Sequence, residues 1–355
     1  MRHQVLLTAF TCFFTGLFAP HAATAAPLLT AYALTAAGDS AFGSLGNFSC
    51  STFARDSRTG SLGGGFEVFL PTSGPCGVAV DSRSASAAAG AVTVSSSLSA
   101  TFGTPLDPRA FVGDSTARAS FGNLGVQANA SYLGTAGSST VIGAQAFGRQ
   151  TEPMNIGGAS GAGIYRPTFT IDGSFFNAGR TDGQLAFFYA VGAGPDVTAF
   201  RIQSSRGTLT YLEQTGFVSI FPGMSLTGNS TNGFTVAGKT TIAFDIPIIF
   251  GTATDITYSL WAAALPNSSM GQSAPSATSI DFLNTAKLTG IEVFDSSGAQ
   301  VSAFSIVSGS GTRYDRNGVV AAAEPDPVNG VPEPASLSLL VMGLIGAFAF
   351  RRKSQ

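Results

Sequence analysis

Short runs in which apolar and polar residues alternate, separated by turn-forming residues, recur along most of this 355-residue chain. Residues 185–191 alternate around Leu185, Phe187 and Tyr189, and residues 256–262 follow the same pattern. A period of two is typical of a β-strand with one buried face, whereas helical periodicity is almost absent. The pattern therefore predicts an all-β fold, an antiparallel β-sandwich or jelly roll, with a core rich in the 29 phenylalanines.

Two apolar stretches give more detailed expectations. In residues 240–248 one face of a strand carries Ile242, Phe244, Ile246 and Ile248. Pro247 falls on the other face and indicates a sheet edge or a strand end, because proline cannot donate a ladder hydrogen bond. Asp172 and Gly173 separate two apolar runs, and this dipeptide predicts a hairpin turn.

Residues 85–147 are dominated by Ala, Ser, Gly and Thr. Recurring apolar residues favour strands with small side chains over a disordered linker, although small side chains specify strand register poorly. Near the end of the body, residues 288–294 predict a strand, residues 295–298 a turn and residues 301–306 a second strand. The Gly-rich residues 148–163 are the best candidate for a subdomain break, and one domain remains the first choice.

Composition excludes several classes of function. Charged residues make up 11% of the chain, and lysine occurs three times, so no basic surface for nucleic acid can be assembled. Both histidines, His3 and His21, lie in the first 25 residues. If that segment is removed, Ser-His-Asp catalysis and histidine metal sites are excluded. We therefore predict no catalytic residues, no cofactor and no metal site.

The N-terminus has the three parts of a secretory signal peptide. Arg2 and His3 precede an apolar run over residues 5–18, and Ala23 and Ala25 flank Thr24 as small residues at a cleavage site. We expect cleavage after Ala25 or Ala26; the alternative is an uncleaved N-terminal anchor.

Cleavage would leave two cysteines, Cys50 and Cys76, in the exported chain. An even number of cysteines in an oxidising compartment predicts one disulfide between them, and the alternative is two separate buried thiols.

The C-terminus combines a short motif, an apolar segment and a basic cluster. Val331, Pro332, Glu333 and Pro334 precede 16 uncharged residues, 335–350, which are followed by Arg351, Arg352 and Lys353. As a helix the apolar segment would span about 24 Å, short of the roughly 30 Å hydrocarbon core, and local thinning of the bilayer would let it cross. The three cations would stay on the cytoplasmic side and stop transfer.

These three parts, in this order, closely resemble the PEP-CTERM sorting signal of Gram-negative bacteria. The resemblance implies that an exosortase recognises Pro332-Glu333-Pro334, removes the tail, and releases or transfers the body. A further 40 residues, ending in the SGTxY pattern of residues 310–314, resemble the strands that precede many such tails. The alternative is a permanent single-pass anchor.

The predicted organisation is therefore a signal peptide (1–25), a β-sandwich ectodomain (26–318), a spacer (319–330) and a sorting signal (331–355). We expect an exported, non-enzymatic protein, anchored in the inner membrane before processing and then located at the cell surface or outside the cell. Its expected partners are an exosortase-like membrane protease and the inner membrane; the resemblance implies exopolysaccharide or biofilm association.

Two alternatives concern the exported body. A carbohydrate-binding, lectin-like module could stack a sugar on Trp261, the only tryptophan, which strand alternation places on the opposite face from Tyr258 and Leu260. A carboxylate-dependent hydrolase would need a pair among the body glutamates, which are Glu67, Glu152, Glu213 and Glu292.

Overall fold

The computed structural model divides the chain into two units, residues 1–319 and 320–355, and the strands given below belong to the first. The residues that the structure describes are 26–39, 53–55, 69–71, 78–105, 107–134, 140–179, 181–205, 208–214, 217–218, 221–229, 233–266 and 275–320.

The described residues are organised as strands, turns and bends, and they contain no helix. In chain order the strands are β1 (Leu28–Asp39), β2 (Phe53–Arg55), β3 (Phe69–Pro71), β4 (Val78–Ala87), β5 (Ala91–Thr104), β6 (Asp107–Ser120), β7 (Asn123–Leu133), β8 (Thr140–Gly157), β9 (Ala162–Ala178), β10 (Asp182–Val191), β11 (Val197–Ser205), β12 (Thr208–Gln214), β13 (Phe217–Val218), β14 (Met224–Asn229), β15 (Gly233–Ala243), β16 (Ile246–Ile249), β17 (Ala253–Leu265), β18 (Ser276–Asp295), β19 (Ser305–Ser308), β20 (Tyr314–Asp315) and β21 (Gly318–Val319).

Two large antiparallel sheets account for most of these strands. The first sheet has the order β13-β12-β11-β10-β17-β8-β1-β4, with β19 beside the end of β8. The second sheet has the order β14-β15-β9-β18-β7-β6-β5, with β16 beside β9. The predicted all-β, antiparallel fold is confirmed.

The two sheets pack face to face around a common core. Side-chain hydrogen bonds cross between them: Thr35 Oγ1 in β1 lies 2.7 Å from Ser96 Oγ in β5, and Gln150 Oε1 in β8 accepts from the amide of Gly122 at 2.6 Å. In long strands such as β7 and β9, alternate residues point into this core, as the period of two requires. The arrangement is β-sandwich-like.

Aromatic residues fill the centre of the core. Phe169 lies 4.8 Å, between ring centroids, from both Phe187 and Tyr258, and Phe244 stacks on Tyr189 at 4.2 Å. Offset and edge-on aromatic pairs stabilise a core beyond the burial of their area. The expectation of a phenylalanine-rich core is confirmed.

The predicted turn at Asp172-Gly173 is wrong, because β9 runs straight through both residues. Gly173 pairs with Gly238 of β15, and a Cβ atom added to it would lie 2.3 Å from the carbonyl oxygen of Asp281 in β18. A glycine in a strand interior can mark a close approach of another backbone as well as a turn. At position 173 the close approach of β18 explains the glycine.

The strand predicted over residues 301–306 is also displaced. Its counterpart is β19, which pairs with β8 in the first sheet, while the preceding β18 belongs to the second. The turn at residues 295–298 does form, since Gly298 N donates to Asp295 O at 3.0 Å. After this turn Val301 N still donates to Val293 O of β18 at 2.8 Å, and the chain then crosses to the first sheet.

Two other regions follow the sequence pattern. Residues 85–147 contribute strands β4 to β8, as the pattern of small and apolar residues predicts. Residues 242, 244, 246 and 248 are buried and Pro247 is exposed, although β15 and β16 divide this stretch between them. Residues 148–163, the candidate for a subdomain break, comprise the second half of β8, a short connection and the start of β9.

Candidate functional site

The residues predicted for export, sorting and the disulfide lie outside the described residues. These are the cleavage-site residues Ala23 and Ala25, the cysteines Cys50 and Cys76, the motif Val331, Pro332, Glu333 and Pro334, and the cations Arg351, Arg352 and Lys353. None of the described residues forms a helix with the length and hydropathy needed to span a bilayer. The described part of the chain presents two other polar sites.

The first site is on the face of the first sheet that points away from the common core. Cross-strand pairing joins Tyr32 of β1 to Phe147 of β8, and Phe147 to Trp261 of β17. Trp261 in turn pairs with Ala186 of β10. With Leu34, Phe188 and Ala263, these residues form a buried hydrophobic cluster separate from the common core. We call it the outer-face cluster.

Polar groups without partners surround this cluster. Within the described part of the chain no hydrogen bond is made by Trp261 Nε1, Tyr32 OH, Gln145 Oε1 or either amide atom of Gln184. Gln184 and Trp261 are each 1% exposed. An unpaired buried polar group costs about 1–3 kcal/mol, so five such atoms on one face are unusual for a purely structural surface.

An ion pair lies beside the cluster, and its arginine is two residues after Phe147 on β8. Arg149 Nη2 lies 3.2 Å from both carboxylate oxygens of Asp196, and Arg149 Nε donates to Ser259 Oγ at 3.1 Å. The guanidinium also stands 5.7 Å from the ring centroid of Phe147. The face thus combines flat aromatic surfaces with hydrogen-bond donors and acceptors. Groups of these two kinds can bind the C–H faces and the hydroxyls of a sugar, respectively.

Trp261 is where strand alternation predicts it, on the opposite face from the buried Tyr258 and Leu260. Sequence reasoning did not find Tyr32, Phe147 or Gln184 as its neighbours. These residues come from three other strands, and period-two alternation indicates which face a side chain occupies without indicating which strands are adjacent.

The second site is a buried carboxylate, Glu152, on the core-facing side of β8. Tyr314 OH donates to Glu152 Oε2 at 2.5 Å, and the Ser310 hydroxyl donates to Oε1 in a very short hydrogen bond. Ser310 also contacts Thr312, whose hydroxyl lies 2.7 Å away. Three residues of the SGTxY pattern are therefore gathered at Glu152. We call this group the Glu152 cluster.

Two further tyrosines lie close to the Glu152 cluster. Tyr258 OH and Tyr165 OH are 3.5 Å apart and fully buried. Burial raises the pKa of Tyr165, Tyr258 and Tyr314 above its ordinary value, and the negative charge of Glu152 raises each of these pKa values further. These phenols are therefore held in their neutral, hydrogen-bonding form.

The described glutamates do not form a pair of the kind that hydrolyses glycosides. Glu152 faces the common core, whereas Glu292 is on the outward side of the second sheet, 3.8 Å from Arg166. The side chains of Glu67 and Glu213 lie outside the described part of the chain. Among the described residues, no group of three or more His, Cys, Asp or Glu side chains is placed to hold a metal ion.

Comparison with known protein families gives a match at residues 330–353, to the PEP-CTERM protein-sorting motif. The chain carries a PEP-CTERM motif. The PEP-CTERM match contains the predicted residues Val331 to Pro334 and all three cations. It indicates an exported protein that is sorted by an exosortase. No curated protein and no solved structure matches the chain.

The PEP-CTERM match begins ten residues after Val320, the last residue that the structure describes. The Glu152 cluster fixes residues 310–314, just upstream of that point, to the central strand β8. Residues 310–314 are therefore tied to β8 by a buried carboxylate.

Proposed function

We propose that this protein is a non-enzymatic component of the cell surface or extracellular matrix, delivered by an exosortase-like membrane protease and associated with exopolysaccharide. The PEP-CTERM motif at residues 330–353 carries the proposal. In this mechanism the protease binds Pro332-Glu333-Pro334, which the two prolines keep out of a helix. Residues 335–350 serve as a transient inner-membrane anchor, and the three cations hold its cytoplasmic end.

Replacement of Glu333 tests this function directly. In a host that carries an exosortase, the full chain with Glu333→Ala should be exported but keep its tail, and uncut protein should accumulate in the inner membrane. Glu324→Ala is the matched control, because Glu324 also precedes a proline and lies in the spacer. Fractionation and size on a gel are the measurements. A wild-type chain that stays full length in the inner membrane would support a permanent anchor instead.

A second function, glycan binding, is favoured by the outer-face cluster. Its unpaired amide, indole and phenol groups are neutral, and they surround aromatic surfaces. A neutral polysaccharide offers hydroxyl donors and acceptors together with apolar C–H faces, so it matches both parts of the cluster. Because these side chains are buried, we expect binding to require local opening and to be slow.

Gln184→Leu separates a glycan site from a structural one. Leucine has a similar volume and removes two unpaired buried polar atoms, so this variant should be at least as stable as the wild type. If the cluster binds glycan, binding on a glycan array should fall while stability holds. Gln127→Leu, on the outward side of the second sheet, is the control. Equal binding by both variants would remove the outer-face cluster from consideration.

A further inference from the structure

One edge of the second sheet is unusual for its length and lack of charge. β5 ends the sheet and, among the described strands, pairs with β6 alone. It has 14 residues, Ala91–Thr104, and none of them is charged or is proline. Protein sheets usually protect an edge with short strands, lysines, prolines or bulges, because unpaired backbone groups recruit another strand. β5 has none of these devices within it.

The backbone of β5 shows which groups face outward. Ser97 N–H donates to Asp81 Oδ2 of β4 at 3.0 Å, so it points away from the ladder with β6. Residues two apart in a strand share this direction. Thr93, Ser95, Ser99 and Thr101 therefore also turn a backbone N–H and C=O toward this edge, where no described strand pairs with them, and their side chains are exposed.

Asp81 is the protecting group, and it comes from the neighbouring strand. Its carboxylate is held by Arg83 Nε at 3.1 Å, and its carbonyl oxygen accepts from Ser96 Oγ at 2.7 Å. These contacts hold an Asp81–Arg83 ion pair at the middle of the edge. A charge at such a point opposes the approach of another strand.

We propose that the β5 edge is a self-association surface at which a second copy of this chain adds its own β5 in antiparallel orientation, and that Asp81 limits this pairing. A two-fold axis at Ser97 places Ser95 opposite Ser99 and Thr93 opposite Thr101. From Thr93 to Thr101 the outward-facing pairs are then hydroxyl with hydroxyl, and neither strand brings a charge. The contact is isologous and closes as a dimer.

The second copy is favoured over a foreign strand by this internal symmetry. The same pairing sets Val94 opposite Ala100 on the core-facing side, so apolar residues meet apolar residues on that face as well. Strand addition of this kind derives its affinity from main-chain hydrogen bonds and its selectivity from the side chains on each face. Pairing of β5 with the β5 of a second copy supplies both the main-chain hydrogen bonds and the matching side chains.

Cysteine cross-linking of the full chain in an oxidising periplasm tests the proposal. Ser97→Cys lies on the two-fold axis, where paired Cα atoms about 5.5 Å apart permit a disulfide. We expect a linked dimer on a non-reducing gel, and about tenfold more of it when Asp81→Ala removes one hydrogen bond to a charged group. Val112→Cys, which is exposed on the neighbouring β6, is the control for random collision.

Two variants test whether the strand itself is the surface. Ser95→Pro removes an outward N–H without disturbing the β6 ladder, and Ser95→Lys keeps the N–H but adds a charge; both should abolish the Ser97→Cys dimer. The proposal is overturned if Val112→Cys links as well as Ser97→Cys, if Asp81→Ala changes nothing, or if both Ser95 variants still link. Adducts with other proteins in place of the dimer would also overturn it.

Discussion

Glu152 is a buried carboxylate whose hydrogen bonds, in the described part of the chain, come from Ser310 and Tyr314. A buried carboxylate depends on such donors, because each hydrogen bond to a charged group contributes about 1.5–3 kcal/mol. Removing one donor leaves the carboxylate under-solvated inside the core. At the scale of single residues, the donors to Glu152 are therefore a sensitive point of the described core.

Tyr314→Phe should therefore lower the free energy of unfolding by about 2 kcal/mol. Denaturant unfolding of the purified protein measures the change. Tyr189→Phe is the matched control, since it removes the same atom from a half-buried tyrosine on β10, which β17 separates from β8. Equal losses in the two variants would show that the bond to Glu152 adds nothing.

The buried tyrosines also predict how stability depends on alkaline pH. The pKa of Tyr165, Tyr258 and Tyr314 is raised by burial above its ordinary value of about 10, so the folded state favours their neutral form. Their contribution to stability is complete below pH 10. It is lost as pH rises through the folded-state values, because the unfolded chain ionises first.

We therefore expect tyrosine ionisation and unfolding to occur together above pH 10. Absorbance at 295 nm should show that these tyrosines ionise in the same transition in which the strand signal in circular dichroism disappears. A guanidinium-unfolded sample provides the reference titration. Smooth ionisation of all seven tyrosines near pH 10 in a chain that remains folded would contradict the expectation.

At the scale of single strands, β9 shows where sequence reasoning succeeds and where it fails. Its apolar residues alternate as predicted, but Gly173 breaks the pattern for a reason that depends on β18. Glycine is compatible with a turn and with a close approach of another backbone, and only the neighbouring strand distinguishes them. The sequence around Asp172 carries no signal of that neighbour.

Gly173→Ala tests this explanation. The added methyl group would lie 2.3 Å from Asp281 O and 2.7 Å from Phe282 Cδ1, so β9 and β18 must separate. Overpacking of this kind costs about 1–3 kcal/mol. Gly290→Ala is the control, because its nearest atom would be a side-chain carbon of Thr168 at 3.3 Å. Denaturant unfolding should show a clearly larger loss for Gly173→Ala than for Gly290→Ala.

The candidate sites depend on which strands lie next to each other, and this is harder to predict from sequence than which residues form strands. The buried residues 242, 244, 246 and 248 and the face of Trp261 could be predicted, since each depends on local alternation. The outer-face cluster could not, because Phe147 and Trp261 pair across more than one hundred residues of chain. The Glu152 cluster joins β8 to residues 310–314 over a still longer separation.

At the scale of the whole molecule, the chain combines a folded body with a sorting motif whose charges are few and localised. The body is all-β, and the PEP-CTERM match contains the three cations Arg351, Arg352 and Lys353. Each cation costs about 3 kcal/mol to place at the centre of a bilayer. In the proposed sorting mechanism, this cost keeps the end of the tail in the cytoplasm.

Replacing all three cations with serine should remove that cost while leaving Pro332-Glu333-Pro334 intact. The apolar segment, residues 335–350, would span only about 24 Å and would have no charged end to hold it. We expect unprocessed, full-length protein to appear outside the inner membrane, the opposite location from the Glu333→Ala variant. Fractionation and mass measurement in an exosortase-bearing host distinguish the two. If the serine variant is instead retained and cut like the wild type, the apolar segment alone stops transfer and the cations have no part in sorting.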